Sequence, residues 1–271
     1  MPATLTDRHV GCALSFAVEP GTVLAMQLVP ARSAGELTSE QLTATIDGRA
    51  AEVTELAGDH GGRIHLVRSD AGRLHLGYTA TVRPTAATGQ VGPDLDTEAI
   101  TYLRQSRYCP SDAMVGYAGV ELGPHATADT IAGWVFERLA YVLGVSTPTT
   151  TALETLAANA GACRDFAHLT IALCRARGIP ARLAAVYAPG LTPMDFHAVV
   201  EARVHGAWRV IDPTRLAPRS SLVRIATGRD AADTAFATTL AGDAELLTFE
   251  VTATTDGDLP ADDHVTPVAL A

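Results

Sequence analysis

The chain has 271 residues, 47% hydrophobic and 18% charged, which supports one large core or two ordinary ones and argues against wholesale disorder. Its formal net charge is −10, and nothing in that balance neutralises a row of phosphates, so a nucleic-acid binder is not expected. All 20 basic residues are arginine, a compositional habit that carries no mechanism. The opening stretch has no basic leader followed by an apolar run, and no stretch of about eighteen apolar residues occurs, so a cytoplasmic address without a membrane span is expected. Cys12, Cys109, Cys163 and Cys174 lack CxxC spacing and suit reduced thiols better than a disulfide framework or a zinc knuckle.

Up to about residue 90 the sequence reads as strands and turns. "ALSFAVEPGTVLAMQLVPA" has a Pro-Gly break between two β-prone runs, and "LTATIDGRAAEVTEL" carries an Asp47-Gly48 turn. "RIHLVRSDAGRLHLGYTATV" alternates about a Ser-Asp-Ala-Gly turn as a strand pair. Ile64, Leu66, Leu74 and Leu76 then share one face, and His65 and His75 lie on a solvated one. An antiparallel β-sandwich over 1–92 is the expectation. A Pro, Gly, Thr and Asp-rich stretch, "RPTAATGQVGPDLDTEAI", links it to the second half.

Helical signals follow. "TADTIAGWVFERLAYVLG" places Ile131, Val135, Leu139 and Val142 on one stripe, with Gly144 past the end. "TTTALETLAANAG" has Thr150 or Thr151 as a cap and Glu154 further on. "GACRDFAHLTIALCRARGIP" is a third helix, ended by Gly178 and Pro180. Three β-prone runs come next: "ARLAAVYAP", "DFHAVVEARVHG" and "AWRVIDPTRL". A closing strand, "ELLTFEVTATT", precedes an acidic and loose tail over 256–271.

Cys163 stands at the first turn of the third helix, where Ser, Thr or Asp would be the ordinary cap. A helix N-terminus presents unpaired N–H groups and the positive end of the peptide dipole, and both favour a thiolate. The same N–H groups can donate to an oxyanion forming on an acyl group under attack. Cys174, eleven residues on, returns to nearly the same face but about 16 Å away, too far to pair with Cys163, and reads as core. His168 is rotated about 140° from Cys163 along the helix, so it reads as structural.

His197 heads an apolar alternating run that would hold an imidazole rigidly, and Asp212 ends the next run, just before proline. If these runs pair as antiparallel neighbours through the turn at His205 and Gly206, Asp212 comes beside His197 and can fix its tautomer. A lone strand histidine or an Asp-Pro pair is commonly structural. It is the ordered set, thiol on a helix start followed by His and Asp on successive strands, that points to nucleophilic catalysis.

At these residues the chain resembles the transglutaminase-like superfamily of papain-related thiol enzymes, and more closely its bacterial cysteine-protease-like members. The matching stretches are "YLRQSRYCPSD" (102–112), "GACRDFAHLTIALCRARGIPAR" (161–182), "DFHAVVEARVHGAWRVIDPTRLAP" (195–218) and "RIATGRDAADTAF" (224–236). The resemblance implies an α+β fold. A nucleophile-bearing helix would pack on an antiparallel sheet over 93–255, after the N-terminal β-sandwich. By motif position it makes Cys163 the nucleophile, His197 the base and Asp212 the acid. Ala162 and Val199 depart from the Val and Trp usual at those positions. Neither change removes a catalytic atom.

The implied chemistry is thiol-mediated acyl transfer on the amide of a peptide or protein, through a thioester released to water. No metal or other cofactor is called for. Release to an amine, as in a protein-glutamine transamidase, is the alternative, and a non-catalytic peptide-binding member is another. The resemblance also implies a second oxyanion donor upstream of the nucleophile, for which Tyr141 is a candidate. "SRYC" and "RIATGRD" bring Arg107, Tyr108, Arg224, Arg229 and Asp230 either to the cleft or to a clamp between the two halves. The sequence leaves oligomeric state open.

Overall fold

The structure is a computed structural model that describes residues 6–85, 92–93 and 96–270. The first half supplies β1 (Arg8–Val18), β2 (Thr22–Met26), β3 (Glu36–Ile46), β4 (Arg49–Ala50), β5 (Val53–Ala57), β6 (Arg63–Ser69) and β7 (Gly72–Arg83). Helices α1 (Thr97–Leu103), α2 (Val115–Leu122) and α3 (Ala128–Arg138) follow. Next come β8 (Ala140–Tyr141), α4 (Ala152–Ala158), β9 (Ala160–Gly161) and α5 (Cys163–Ala176). The chain then runs through β10 (Ala181–Tyr187), β11 (Phe196–Val204), β12 (Ala207–Ile211) and β13 (Val223–Gly228). It closes with α6 (Ala231–Thr234), β14 (Ala237–Ala241) and β15 (Ala244–Thr255). Much of the stretch expected as a linker lies outside the described residues.

The β-rich half is built from two sheets, ordered β15-β1-β7-β3-β4 and β14-β2-β6-β5. Leu14, Phe16, Leu24, Met26, Leu74 and Tyr78 form part of one buried cluster drawn from both. Burying each such side chain contributes about 1.5–3 kcal/mol. The Asp47-Gly48 turn joins β3 to β4, with positive φ at both residues as a tight hairpin turn requires.

Sequence and structure differ over "RIHLVRSDAGRLHLGYTATV". β6 and β7 are not a pair: β6 bonds to β2 and β5, β7 to β1 and β3, and the turn between them crosses from sheet to sheet. Gly72 makes that crossing with φ +148°, where an added Cβ would lie 2.4 Å from the Asp47 carboxylate. The strand faces shift accordingly. His65 is buried beside Val67, and only His75 is solvated. The inner face tolerates His65 because Glu55 bonds both its ring, at 3.2 Å, and Arg63, at 2.8 Å.

The second half centres on α5, which packs across β10 and β11 of the antiparallel sheet β12-β11-β10-β13. Every residue from Asp165 to Arg175 is buried, as befits a helix enclosed on all sides. Helices α3 and α4 cover its other face. α4 begins as expected, with the Glu154 carboxylate accepting from the Thr151 N–H at 2.7 Å. α3 ends at Arg138, short of the predicted stripe, because residues 140–141 leave it to pair in parallel with 160–161.

Two features tie the halves together. Residues 237–255, which the sequence groups with the second half, hydrogen-bond as β14 and β15 to β2 and β1. Tyr187, Val223 and Ile225 of the second sheet also join the sandwich core, and the Tyr187 hydroxyl donates to the Leu28 carbonyl at 2.7 Å. The C-terminal stretch is anchored rather than loose. Arg219 pairs with Asp262 at 2.7 Å, the Val210 N–H donates to the Val268 carbonyl, and Val268 and Leu270 pack over Val186, Val199 and Val210. Apolar side chains among the acidic residues of that stretch supply the reason.

A buried ion cluster sits in the β12-β11-β10-β13 sheet. Glu201, 1% exposed, accepts from Arg182 at 2.8 Å and from Arg224 at 2.7 and 2.8 Å. Arg182 also reaches Glu98 of α1 and lies 4.0 Å over the Trp208 ring. Burial pushes the Glu201 carboxyl up, but the two guanidiniums outweigh it and hold the group at about 2, against an ordinary 4.5. Removing one partner of a buried pair costs about 3–5 kcal/mol. Glu201→Gln is therefore expected to lower the melting temperature sharply at neutral pH. A carboxyl held low stabilises fully above its ordinary value and loses that contribution as pH falls toward the folded one. Thermal scans should show the gap between wild type and Glu201→Gln narrowing from pH 4.5 to about 2.

Candidate active site

The start of α5 resolves why a thiol stands where a capping side chain is usual. Asp165, at the third helical position, reaches back so that its Oδ2 accepts from the Ala162 N–H at 2.9 Å and from the Ser146 hydroxyl at 2.6 Å. The cap is thus supplied from inside the helix, and the first position is left to Cys163. Arg164 anchors the preceding loop by donating to the Thr147 carbonyl at 2.7 Å. Gly161 is required by close approach, since a Cβ there would lie 2.5 Å from the Asp165 Cβ.

The parallel bridge of β8 to β9 sets Tyr141 opposite Gly161, with the Val142 N–H donating to the Gly161 carbonyl at 2.9 Å. The Tyr141 ring tilts against Phe166 at 5.8 Å. Its hydroxyl lies near the backbone N–H of Cys163, and burial followed by the charge of the Cys163 sulfur pushes its pKa up.

β11 and β12 are antiparallel neighbours joined at His205 and Gly206, with Val200 opposite Ile211. One step past this pair Asp212 falls opposite Val199, two residues along β11 from His197 and on the same strand face, within reach of its ring. The His197 Nε2 and Asp212 Oδ2 are 2.8 Å apart, and both residues are buried. The Asp212 Oδ1 accepts from the Thr214 N–H at 2.9 Å and its hydroxyl at 2.7 Å, which fixes the carboxylate. Burial pushes the His197 ring down, but the Asp212 carboxylate and the Cys163 thiol together hold it above its ordinary value. Asp212 shows the complement: burial pushes it up, and His197 and Thr214 hold it below the usual range. The His197 Nδ1 has no hydrogen-bond partner among the described residues. Cys163 and His197 line one cavity of about 560 Å³.

Cys163 is half-buried, whereas the other three thiols are buried. Burial pushes Cys12 up to about 11 and Cys109 and Cys174 up to about 12, so these stay protonated near neutrality. His168 stacks on Tyr108 at 5.1 Å and its Nε2 accepts from the Ala231 N–H at 3.1 Å. Burial lowers it to about 4, which keeps it neutral and able to accept. Of the SRYC and RIATGRD stretches, Arg107 and Tyr108 line the cavity. Asp230 accepts from the Tyr108 N–H at 2.8 Å, while Arg229 pairs with Asp233 on the surface. Arg224 belongs to the buried Glu201 cluster.

Thr214 and Ser146 carry no signal in composition or spacing, because each matters only through a group whose burial the fold decides, whereas Asp165 stands three residues past Ala162, the spacing of a helix-capping acid. Among the described residues no three His, Cys, Asp or Glu side chains converge as a metal-ligand set, and no helix is long and apolar enough to cross a membrane.

This arrangement is a mixed α+β fold with a helix packed on an antiparallel sheet, and comparison with known proteins gives it a family. Residues 115–213 match the transglutaminase-like superfamily. The chain is also similar, at 32% identity and a TM-score of 0.86, to a crystal structure from Cytophaga hutchinsonii provisionally assigned as a cysteine protease. That similarity covers 97% of this chain and 96% of the other. The chain belongs to the transglutaminase-like superfamily. An uncharacterised protein of Mycobacterium leprae is 28% identical over 145 residues, 49% of this chain, and the match spans only 52% of that relative's length. The periplasmic domain of TgpA from Pseudomonas aeruginosa is 20% identical, with a TM-score of 0.40 over 79% of this chain and 91% of that one.

Gly161→Ala forces the Asp165 side chain out of its cap. The expected result is a loss of about 1 kcal/mol or more, the typical value of a helix cap, read as a lower melting temperature. Slower alkylation of Cys163 by iodoacetamide should accompany it.

Proposed function

We propose that the protein is a cysteine-dependent amide hydrolase, a peptidase or amidase, in which Cys163, His197 and Asp212 act as nucleophile, acid–base and orienting acid. The reading rests on one observation above all. The sole half-exposed thiol opens into the same cavity as a buried imidazole whose far nitrogen is bonded at 2.8 Å to a carboxylate.

In this mechanism the Cys163 sulfur attacks the amide carbonyl, and its proton resides on the Nδ1 of His197, the nitrogen that Asp212 leaves free. Negative charge builds on the carbonyl oxygen, where the Cys163 backbone N–H and the Tyr141 hydroxyl can donate to it. The C–N bond breaks as His197 protonates the departing amine, leaving a thioester on Cys163. Water, deprotonated by the now neutral His197, attacks the thioester; the acid leaves and the thiol is restored. Asp212 keeps one ring tautomer and stabilises the imidazolium throughout, and Thr214 keeps Asp212 in place.

Cys163→Ala is expected to abolish turnover on peptide amides. Asp212→Ala should reduce it by about ten-thousand-fold with folding retained, as seen by circular dichroism. The charge of Asp212 is one of the two influences that hold His197 protonated above its ordinary range. Activity in wild type should therefore persist into alkaline solution, and Asp212→Asn should move the alkaline limb of kcat/KM to lower pH. An unmoved limb overturns the assignment. Tyr141→Phe removes one oxyanion donor and is expected to lower kcat about 100- to 1000-fold with little change in KM, measured by steady-state kinetics.

A further inference from the structure

The cavity that holds Cys163 and His197 is far larger than the reacting atoms need. At about 560 Å³ it falls within the range of pockets that enclose a small ligand. Its wall is built by both halves of the molecule. Leu183, Phe196 and Ile225 come from the catalytic sheet, and Ala235, Phe236 and Thr238 from the segment that leads into and along β14. Most of this wall is hydrocarbon.

Three of the polar side chains on the wall are committed elsewhere. The Gln27 side-chain amide donates to the carbonyls of Asp233 and Ala235, at 3.0 and 3.3 Å. The Thr234 hydroxyl donates to the Asp230 carbonyl, and Arg164 is held by Thr147 and Ser146. Arg107 is exposed. Asp195 is half-buried, and burial holds its carboxyl above the ordinary range. A carboxamide pushed against Leu183, Ile225 and Phe236 would lose its water without finding partners, a cost that an apolar group avoids.

The wall also carries a cluster of aromatic rings. Phe196 packs edge-on to Tyr187 at 5.4 Å and lies 5.6 Å from both Phe236 and Phe249. Aromatic rings so arranged favour another ring in offset or edge contact.

We infer that this cavity is the specificity pocket of the enzyme and takes one bulky apolar side chain, aromatic by preference, from the peptide whose carbonyl meets Cys163. The inference rests on the thiol-hydrolase reading for its orientation. Phe196, next to His197 in the chain, ties the pocket to the reacting group, and the β14 segment supplies the opposite wall. The β-rich half is then part of the substrate site. A glutamine side chain, the donor in transamidation, is a poor fit to such a wall.

Binding separates the pocket from the chemistry. Short blocked peptides that differ only in carrying Phe, Ala or Gln at one position are titrated calorimetrically into Cys163→Ala. The Phe peptide is expected to bind roughly 10- to 100-fold more tightly than the Ala and Gln peptides. Adding Thr238→Trp, an exposed position on the strand edge, or Ala235→Phe fills the cavity and should bring the three peptides to within about threefold of one another. Both variants should melt like their parent. Equal affinities in the parent, or a Phe preference that survives both substitutions, overturn the pocket. Alkylation of wild type by iodoacetamide reports on the thiol separately. Labelling of Cys163 without a Phe preference sinks the pocket alone, and a Phe preference without labelling keeps the pocket and removes the chemistry.

Discussion

The short hydrogen bonds that Asp165 makes backward across the start of α5 are the constraint on which the site depends. They cap the helix without using its first position, hold the loop through Ser146, and demand a glycine at 161. A thiol can then occupy the positive end of a helix that is otherwise enclosed. A helix sealed on every side is a stiff mount, so the sulfur is set by packing rather than by its own rotamer preferences. The imidazole comes from the other principal element, the sheet that α5 lies across, and its position is as firmly set by the register of β11 against β12.

Several buried charges among the described residues occur in complete sets. Asp212 has His197 and two bonds from Thr214, and Glu201 has two guanidiniums. His65 and Arg63 share Glu55, and Arg219 holds Asp262. These sets join different strands and loops, so charge pairing here helps fix where elements lie relative to each other. Hydrophobic burial, which has no direction, cannot do that by itself.

How much of this was legible in the sequence depended on whether a signal was local. The helix from 163, its glycine end, the capping Glu154 and the Asp-Gly turn all rest on residues within a few positions of each other, and all are present. The two antiparallel runs that bring Asp212 to His197 also follow from a short turn. What local pattern could not show was partner choice. The alternation across β6 and β7 looks like a hairpin because nothing nearby records that β2 and β1 are better partners. His65 looked solvated because its acceptor, Glu55, comes from the neighbouring strand β5, ten residues back. The acidic tail looked loose because charge dominates its composition, while Val268 and Leu270 do the packing. Thr214 is silent in the sequence for a related reason: a threonine two residues past an aspartate means nothing until that aspartate is known to be buried.

The return of the last strands to the first sheets bears on how the molecule is made. On a ribosome, Arg8 must wait for Thr255 before β1 gains its outer neighbour, and β2 waits likewise for β14. The whole thiol-bearing portion emerges in that interval, with the early sheets still open along one edge. Pairing between such distant stretches is slow, and open edges invite wrong partners. Completion of the fold and closure of the cleft therefore arrive together, as one late event, because β14 supplies one side of the cavity. A nascent chain carries Cys163 through the last stretch of its synthesis without a finished cavity around it.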